Sequence, residues 1–300
     1  MSGICEGRVV VITGAGNGIG RAHALSFAAE GAAVVVNDLG GSRDGQGGSA
    51  GPAQAVVDEI TAQGGKAVAH TDDISTWAGS KSLIDLAVET FGTLDVVVNN
   101  AGILRDRMLA NMEEAEWDSV IAVHLKGTFG PTRHAAAYWR DKSKAGEAVD
   151  GRVINTSSPS GLFGNVGQAN YGAAKAGIAA FTVIAAAELG RYGVTVNAIA
   201  PTALTRMTED LGMVAEAAKN MDLAPETISP LVVWLGSAAS KPITGRVFSI
   251  FGNRITVVEG WVNGPTTERT ERWTPGELGE VLPGLVSEAA PNANMLGGRT

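Results

Sequence analysis

The sequence predicts an α/β protein that forms a single doubly wound domain, with a seven-stranded, mostly parallel sheet and helices on both faces. Two observations lead to this prediction. Short β-branched runs alternate regularly with longer, Ala-rich amphipathic segments along most of the 300 residues. Several of the short runs, such as VVVI and AVVV, are apolar at every position, which is typical of strands buried on both faces of a parallel sheet.

The elements follow from these patterns in chain order. The apolar runs predict strands at residues 9–13, 33–37, 67–70, 94–99, 152–156, 194–199 and 247–251. The periodic segments predict helices at residues 18–30, 53–63, 80–91, 113–139, 170–191, 208–221 and 228–237. Strands and helices that alternate this often imply right-handed crossover connections.

Two stretches depart from the alternation. Residues 40–51 are nearly all glycine, serine and polar residues, and form either a flexible surface loop or a loop that orders near a bound ribose. After Phe251 the chain becomes irregular, and Trp261 and Trp273 suggest that this part packs against an apolar surface. We therefore divide the chain into a domain at 1–255 and a C-terminal extension at 256–300, which packs on the domain or on a neighbouring subunit.

The composition excludes several classes of protein. The formal net charge is −8 and no basic stretch is interleaved with aromatic residues, which argues against a nucleic-acid partner. Cys5 is the only cysteine, so an internal disulfide and a Cys-based zinc site are excluded. Because His23, His70 and His134 have no companions at metal-ligand spacing, no metal is expected.

The N-terminal segment lacks the apolar core of a signal peptide. The longest apolar run, residues 176–187, is too short to span a bilayer. We therefore expect a soluble, cytoplasmic protein without a membrane partner.

Four glycines, Gly14, Gly16, Gly18 and Gly20, stand at the turn between the first predicted strand and the first helix. Glycine tolerates positive φ and lets the backbone approach a ligand closely, and the helix N-terminus offers free N–H donors to an anion. Asp38 follows the second strand, 18 residues after Gly20. A carboxylate there can accept hydrogen bonds from both ribose hydroxyls of NAD and would repel the 2′-phosphate of NADP. The motif predicts a dinucleotide site with NAD as cofactor.

A second motif lies in SSPSGLFGNVGQANYGAAK. Tyr171 and Lys175 stand four residues apart at the start of a predicted helix, so their side chains share one face, and Ser158 follows a strand. A free phenol, with a pKa of about 10, is a poor base at neutral pH, but a nearby ammonium and an oxidised nicotinamide both favour the phenolate. In isolation, Tyr and Lys at this spacing would be a helix surface pair. Beside a nucleotide motif and Ser158, they predict a catalytic site.

Together these residues resemble the classical short-chain dehydrogenase/reductase family, which has a Rossmann fold. The resemblance covers about residues 5–255 and includes the glycine motif from Thr13, NNAG at 99–102, Tyr-x3-Lys, and a Pro-Thr step at Pro201. It implies that Tyr171 is the general acid/base. It further implies that Lys175 lowers the pKa of that tyrosine and binds the nicotinamide ribose, and that Ser158 orients the substrate.

The resemblance also implies contacts with the cofactor. Asn99 would stabilise the central strand and contact the adenosine ribose, and Asp73 would meet the adenine ring. The cofactor-binding residues predicted on this basis are Gly14, Gly16, Asn17, Gly18, Ile19, Gly20, Asp38, Asp73, Ile74, Asn99, Asn100, Ala101, Gly102, Tyr171, Lys175, Ile199, Pro201 and Thr205.

The chain departs from the family pattern at two positions. His124 stands where most members have a catalytic asparagine that holds a water in the proton relay. A histidine could hold that water and add a pH dependence near neutrality, or it could be a satisfied histidine at a helix bend. Thr202 replaces the usual glycine after Pro201, which puts the local backbone in doubt but leaves the chemistry unchanged.

A closer resemblance, carried by VVVNDLGG, NNAGILRDR, VHLKGTF and GNVGQANYGAAK, is to the family's 3-hydroxyacyl-CoA and 17β-hydroxysteroid dehydrogenases. It implies reversible, NAD-dependent oxidation of a secondary alcohol on a 3-hydroxyacyl-CoA or sterol-derived CoA. Free 17β-hydroxysteroids are the alternative substrates. For the CoA phosphates, the cationic candidates are Arg105, Arg107, Lys126 and Arg206, although surface solubility also explains these residues.

Two further expectations concern partners and activity. The Ala-rich helix predicted at 170–191 suggests packing on another subunit in a homodimer or homotetramer, although burial inside one chain would give the same composition. A function of another class, an inactive NAD-binding scaffold or sensor, is disfavoured because such proteins usually lose the tyrosine or the lysine.

Overall fold

Eight strands form one sheet in the order β3-β2-β1-β4-β5-β6-β7-β8, in a computed structural model that describes residues 3–41, 47–205, 216 and 218–299. The first seven pair in parallel and β8 pairs antiparallel with β7. The strands are β1 Val9–Thr13, β2 Ala33–Asn37, β3 Lys66–His70, β4 Val96–Asn99, β5 Gly151–Thr156, β6 Val194–Thr202, β7 Val247–Phe251 and β8 Arg254–Val258. The predicted doubly wound α/β class is confirmed.

Helices cover both faces of the sheet. Within the described residues they are α1 Gly18–Ala29, α2 Gly51–Ala62, α3 Trp77–Phe91, α4 Glu114–Ile121, α5 Gly127–Lys144, α6 Pro159–Phe163, α7 Ala169–Leu189, α8 Ser229–Gly236 and α9 Pro275–Glu288. One apolar core joins the sheet to α1, α2 and α8, and a second joins it to α3, α5 and α7.

Alternation along β1 shows why the strand runs are apolar throughout. Val10 and Ile12 belong to the first core, whereas Val9 and Val11 belong to the second. Successive side chains of a strand point to opposite faces, so a strand covered on both sides needs an apolar residue at every position. β1, β2 and β4 therefore read as runs of mainly valine and isoleucine that are polar only at their last residue, whereas β5 and β6 also bury polar side chains such as Arg152 and Asn197.

The predicted helix at 113–139 is interrupted. The chain forms α4, then one π-helical turn at Ala122–Lys126, then α5. A π turn places an extra residue in the helix, which the regular helical spacing of the sequence does not reveal. Most of the predicted helix at 208–221 lies outside the described residues.

The C-terminal part contains elements that the sequence pattern did not predict. β8 makes the sheet eight-stranded rather than seven-stranded, and it crosses the predicted boundary at residue 255. In the described structure α9 buries none of its residues. A turn follows in which Asn294 Oδ1 accepts hydrogen bonds from the backbone N–H groups of Leu296 and Gly298. The division at 255 stays a prediction.

The helix around α7 is longer than the apolar run noted in the sequence. Residues Ala169–Tyr192 are long and apolar enough, by length and composition alone, to cross a membrane, and 33% of the most apolar window is buried. A core helix of a soluble protein meets the same criterion. Run length therefore does not exclude a span, and the expectations of a cytoplasmic location and no membrane partner stay predictions.

Candidate active site

A cavity of about 810 Å³ opens along the carboxyl ends of the parallel strands. Its lining includes residues that follow β1, β2, β3, β4, β5 and β6. Strand order reverses between β1 and β4, because β2 and β3 lie on one side and β5 to β7 on the other. Ligands of open α/β sheets bind at such a switch point.

The turn after β1 is packed so closely that it requires glycine. Gly14 has φ of +63°, and a Cβ there would lie 2.7 Å from the Ala101 Cα. A Cβ on Gly20 would lie 2.1 Å from the Gly14 carbonyl oxygen. Gly18 has φ of +53° and lines the cavity at the start of α1. The turn thus presents bare backbone and a helix N-terminus to the cavity.

The residues after β4 support this turn. Asn100 Nδ2 donates to the carbonyl oxygens of Thr13 and Gly14, at 3.0 and 3.1 Å. The Thr13 hydroxyl accepts from the backbone N–H groups of Asn100 and Ala101. Asn99 is buried, and its Nδ2 donates to Thr132 and Asn155. Asn99 therefore ties β4 to α5 and β5 and does not line the cavity.

Three carboxylates, Asp38, Asp72 and Asp73, line one end of the cavity. Asp38 Oδ2 accepts from Gly16 N at 2.8 Å, and Oδ1 accepts from Gly40 N at 2.7 Å. Each carboxylate oxygen can accept a further hydrogen bond. This end can receive hydroxyl donors and opposes added negative charge.

The predicted catalytic residues meet at the other end. Ser158 is the N-cap of α6, where its Oγ accepts from Ser160 N at 3.2 Å, and it hydrogen-bonds the Tyr171 phenol. Lys175 Nζ lies 5.5 Å from the centroid of the Tyr171 ring and donates to the Thr156 carbonyl at 2.6 Å. Ser158, Tyr171 and Lys175 all line the cavity.

Burial governs the electrostatics of this end. It raises the pKa of Tyr171, the Asp106 carboxylate raises it further, and the hydrogen bond with Ser158 opposes the change. Burial also lowers the pKa of Lys175 to about 7. The expected lowering of the phenol pKa is therefore absent in the protein alone, because water is withdrawn from both groups. A further positive charge in the cavity would favour the phenolate and oppose this effect of burial.

His124 lies in the π turn and contacts Tyr171 edge-on, with ring centroids 5.1 Å apart. Its Nε2 lies 2.8 Å from the Ile103 carbonyl, and a Cβ on Gly102 would lie 2.4 Å from its ring. Nδ1 has no hydrogen-bond partner among the described residues. Burial, with a smaller contribution from Lys175, lowers the His124 pKa to about 3. The expected titration of His124 near neutrality is wrong, since this ring is neutral there.

Not every predicted residue reaches the cavity. Gly16, Asn99 and Ile199 are absent from the described lining, whereas the remaining predicted residues belong to it. Gly16 instead packs against Asp38 and Pro52. The lining residues that sequence reasoning missed include Asn37, Asp72, Ser160, Asn165, Gln168, Met295 and Leu296. Asn37, Ser160, Asn165 and Gln168 lie inside the quoted motifs, but no spacing distinguished them from their neighbours. Met295 and Leu296 lie in the C-terminal extension, where the sequence showed no motif.

The candidate cations for CoA phosphates are not part of the described lining. Arg105, Arg107 and Lys126 lie elsewhere, and Arg107 Nε donates to Glu116 at 2.9 Å. Arg206 lies outside the described residues. Lys175 is the only lysine or arginine in the described wall of the cavity.

Gln168 organises a polar wall beside Tyr171. Its Oε1 accepts from Ser160 Oγ at 2.7 Å and from Asn165 Nδ2 at 3.0 Å, while its Nε2 donates to Asp106 at 2.8 Å. Ser160 in turn donates its backbone N–H to Ser158. This network links Ser158 to the start of α7.

A model of the short chain dehydrogenase family matches residues 8–214. The hydroxyacyl-CoA dehydrogenase ChsB1 of Mycobacterium tuberculosis is 50% identical over 291 residues, which cover 92% of this chain and 88% of that protein. The mouse peroxisomal multifunctional enzyme type 2 is 45% identical over 267 residues, which cover 88% of this chain but 33% of that enzyme. The crystal structure of a short chain dehydrogenase from Mycobacterium avium is 59% identical, has a TM-score of 0.87, and is matched over 97% of this chain and 98% of that one.

Proposed function

The chain belongs to the short chain dehydrogenase family, and from this premise we propose that it is an NAD-dependent oxidoreductase that oxidises the hydroxyl of a 3-hydroxyacyl-CoA to a ketone. One observation carries the proposal. A single cavity contains Ser158, Tyr171 and Lys175 at one end, and a glycine turn with Asp38 at the other.

The residues fit a nicotinamide dinucleotide. A Cβ at Gly14 or Gly20 would collide with neighbouring backbone, so this turn can bring its own backbone against a pyrophosphate. Asp38 would accept hydrogen bonds from the adenosine ribose, and the buried Lys175 would hold the nicotinamide ribose. When bound, the nicotinamide supplies the acceptor for the hydride that leaves the carbinol carbon.

Each side chain at the catalytic end then has one task. Ser158 holds the substrate oxygen, and Tyr171 removes the hydroxyl proton as general base. Lys175, held by its hydrogen bond to the Thr156 carbonyl, stabilises the Tyr171 phenolate together with the positive charge of the bound nicotinamide. Neutral His124 positions the backbone of Ile103 and does not exchange a proton near pH 7.

NAD is proposed over NADP because the adenosine end carries three carboxylates and no lining cation within the described residues. A 2′-phosphate would lie against Asp38 without a positive partner among the described residues of the cavity wall. A like charge placed against a competing ligand lowers the affinity for that ligand and so contributes to specificity.

The substrate class rests on the relatives and on the cavity wall. ChsB1 is named a hydroxyacyl-CoA dehydrogenase. Leu104, Val123, Phe251, Met295 and Leu296 line the cavity and would suit an acyl chain. The CoA phosphates would then remain outside the cavity. The scarcity of described cations in the wall favours a second candidate, a 17β-hydroxysteroid, which has no phosphate.

The proposal is tested by NADH formation, followed by absorbance, with 3-hydroxyacyl-CoA thioesters of several chain lengths and with 17β-hydroxysteroids. Turnover that is faster with the thioesters supports the proposal, and preference for the steroids favours the second candidate. NADH binding without turnover of any secondary alcohol would instead support a scaffold or sensor.

A further inference from the structure

We propose that His70, which lies behind the cavity wall, is a positioning residue that holds Asn37 and Asp72 in place for the adenosine end of the cofactor. Asn37 ends β2, His70 ends β3, and Asp72 lies two residues further along the chain. Asn37 and Asp72 line the cavity, whereas His70 is buried and outside the described lining. The inference rests on the proposed function, in which this end binds the adenosine of NAD.

The orientation of the Asn37 amide is fixed by its surroundings. Its Nδ2 lies 3.1 Å from the Asp72 carbonyl oxygen and 3.4 Å from the His70 carbonyl oxygen. An amide oxygen in that position would face two acceptors, so the nitrogen must occupy it. The same Nδ2 lies 2.9 Å from His70 Nδ1. Nδ1 must therefore accept a hydrogen bond from Asn37.

This assignment fixes the remaining protons. An accepting Nδ1 leaves the proton of the neutral ring on Nε2, which lies 3.0 Å from Ser82 Oγ and donates to it. Ser82 Oγ lies 2.7 Å from Asp72 Oδ2 and donates its own proton there. Hydrogen bonds thus run in one direction from Asn37 through His70 and Ser82 to Asp72. These hydrogen bonds join Asn37, at the end of β2, to Asp72, which lies just beyond the end of β3, through one imidazole.

This series of hydrogen bonds requires a neutral His70. A proton on Nδ1 would point at the Asn37 amide N–H and would remove the acceptor that holds it. Burial lowers the His70 pKa, and the Asp72 carboxylate, 3.6 Å from Nε2, is the charged group that opposes this. From β2, Asp38 contacts His70 only through its backbone N–H, which donates to the His70 carbonyl at 3.1 Å. We therefore expect NADH affinity to be constant near neutral pH and to decline in acid.

The test is the dissociation constant of NADH, measured by fluorescence titration of the whole protein between pH 5.5 and 8. His70→Phe keeps a ring but removes both nitrogens, and we expect binding about tenfold weaker at pH 7.5, from two lost hydrogen bonds. His70→Gln replaces the imidazole with an amide that can both accept and donate but does not titrate. It should bind within about threefold of the wild type, and any decline of its affinity in acid should be smaller than that of the wild type.

Ser82→Ala interrupts the series of hydrogen bonds at a half-buried position that tolerates a smaller side chain. Like His70→Phe, it should weaken NADH binding at pH 7.5. His134→Gln, at a buried histidine of α5 outside this cavity, is the matched control and should bind as the wild type does. Melting temperatures identify any variant that fails to fold.

Unchanged affinity in folded His70→Phe and Ser82→Ala would overturn the positioning role while leaving the proposed function intact. A decline of affinity in acid that is as large in His70→Gln as in the wild type would also overturn it. Failure of the wild-type protein to bind NADH would instead contradict the proposed function.

Discussion

At the scale of single residues, the catalytic end contrasts with a surface Tyr-Lys pair. Tyr171 is dry enough that burial raises its pKa, and Lys175 is dry enough that its pKa falls to about 7. A phenol that stays protonated in the empty protein, and that ionises only beside a positive nicotinamide, would accept the substrate proton only after the cofactor has bound. Proton removal from the substrate would then depend on cofactor binding, through the pKa of Tyr171.

Tyr171→Phe tests this role. The phenyl ring retains the contact with His124 but cannot accept the substrate proton, so kcat should fall by about 10²–10⁴-fold. The dissociation constant of NADH should change little, because the ring does not provide the turn or the carboxylates that bind adenosine. Wild-type turnover by the variant would remove Tyr171 from the mechanism.

Asp38→Ser tests the choice of cofactor. Without the carboxylate, NADP should bind more tightly and NAD more weakly, so the preference should shift toward NADP by at least about tenfold. Comparing kcat/KM for the two cofactors measures this shift. Asp38 also accepts from Gly16 and Gly40, so a melting curve must accompany the kinetics. An unchanged ratio would show that discrimination lies elsewhere.

At the scale of elements, α5 and α7 carry apolar side chains on their outer faces. Phe129 of α5 is 43% exposed, and Val183 and Ile184 of α7 are 53% and 57% exposed. Phe129 meets Phe181 of α7 edge-on, which joins the two helices into one surface. Large exposed apolar patches mark interaction surfaces, and we propose that a second copy of the chain covers this one.

Replacing Val183 and Ile184 with lysine and glutamate should therefore lower the mass of the particle in solution, since charged groups are costly at the core of an interface. Light scattering after size-exclusion chromatography measures that mass. Ile255→Lys, at a similarly exposed position on β8, is the control. A wild-type monomer, or an unchanged mass in the double variant, would contradict the subunit contact.

The elements also show where sequence reasoning succeeds. β1, β2 and β7 begin and end as predicted, because β1 and β2 are apolar up to their last residue and only Ser249 interrupts the apolar run of β7. β8 was missed because its side chains are largely exposed at the edge of the sheet, so burial does not constrain them. α9 was missed because Pro283 and several glycines interrupt the helical pattern. The π turn was missed because it changes the hydrogen bonding of the helix without interrupting the pattern of polar and apolar residues along it.

At the scale of the whole molecule, two buried histidines make the fold sensitive to acid. Burial lowers the pKa of both His23 and His124 to about 3, from an ordinary value of 6.5. His23 contacts Ser229 and thereby joins α1 to α8. Below pH 6.5 the unfolded chain binds protons at these residues and the folded protein does not. Stability therefore falls as the pH drops from 6.5 toward 3.

Each of the two histidines should remove about 2 kcal/mol from the free energy of unfolding between pH 7.5 and 5. Urea denaturation at the two pH values measures the loss. His23→Gln should be less stable at pH 7.5 but should lose less on acidification, because one titrating group is gone. A pH dependence that is identical in the variant and the wild type would show that His23 is not buried in its neutral form.

The cavity shows which parts of a site a sequence can reveal. Glycine spacing, Asp38 and Tyr-x3-Lys are local patterns, and the structure brings them to one cavity. Gly16 and Asn99 also belong to local motifs, yet they support the wall from behind. Met295 reaches the cavity from a distant segment, through a turn organised by Asn294. Contacts of this kind depend on the tertiary path of the chain and leave no spacing in the sequence.

The C-terminal turn also offers a place for a probe. Cys5 is the only cysteine and is fully buried, so the native protein presents no accessible thiol to a labelling reagent. A cysteine in place of Met295 would carry a single dye into the cavity wall. Its emission would report occupancy of the cavity in real time, whichever alcohol the enzyme accepts.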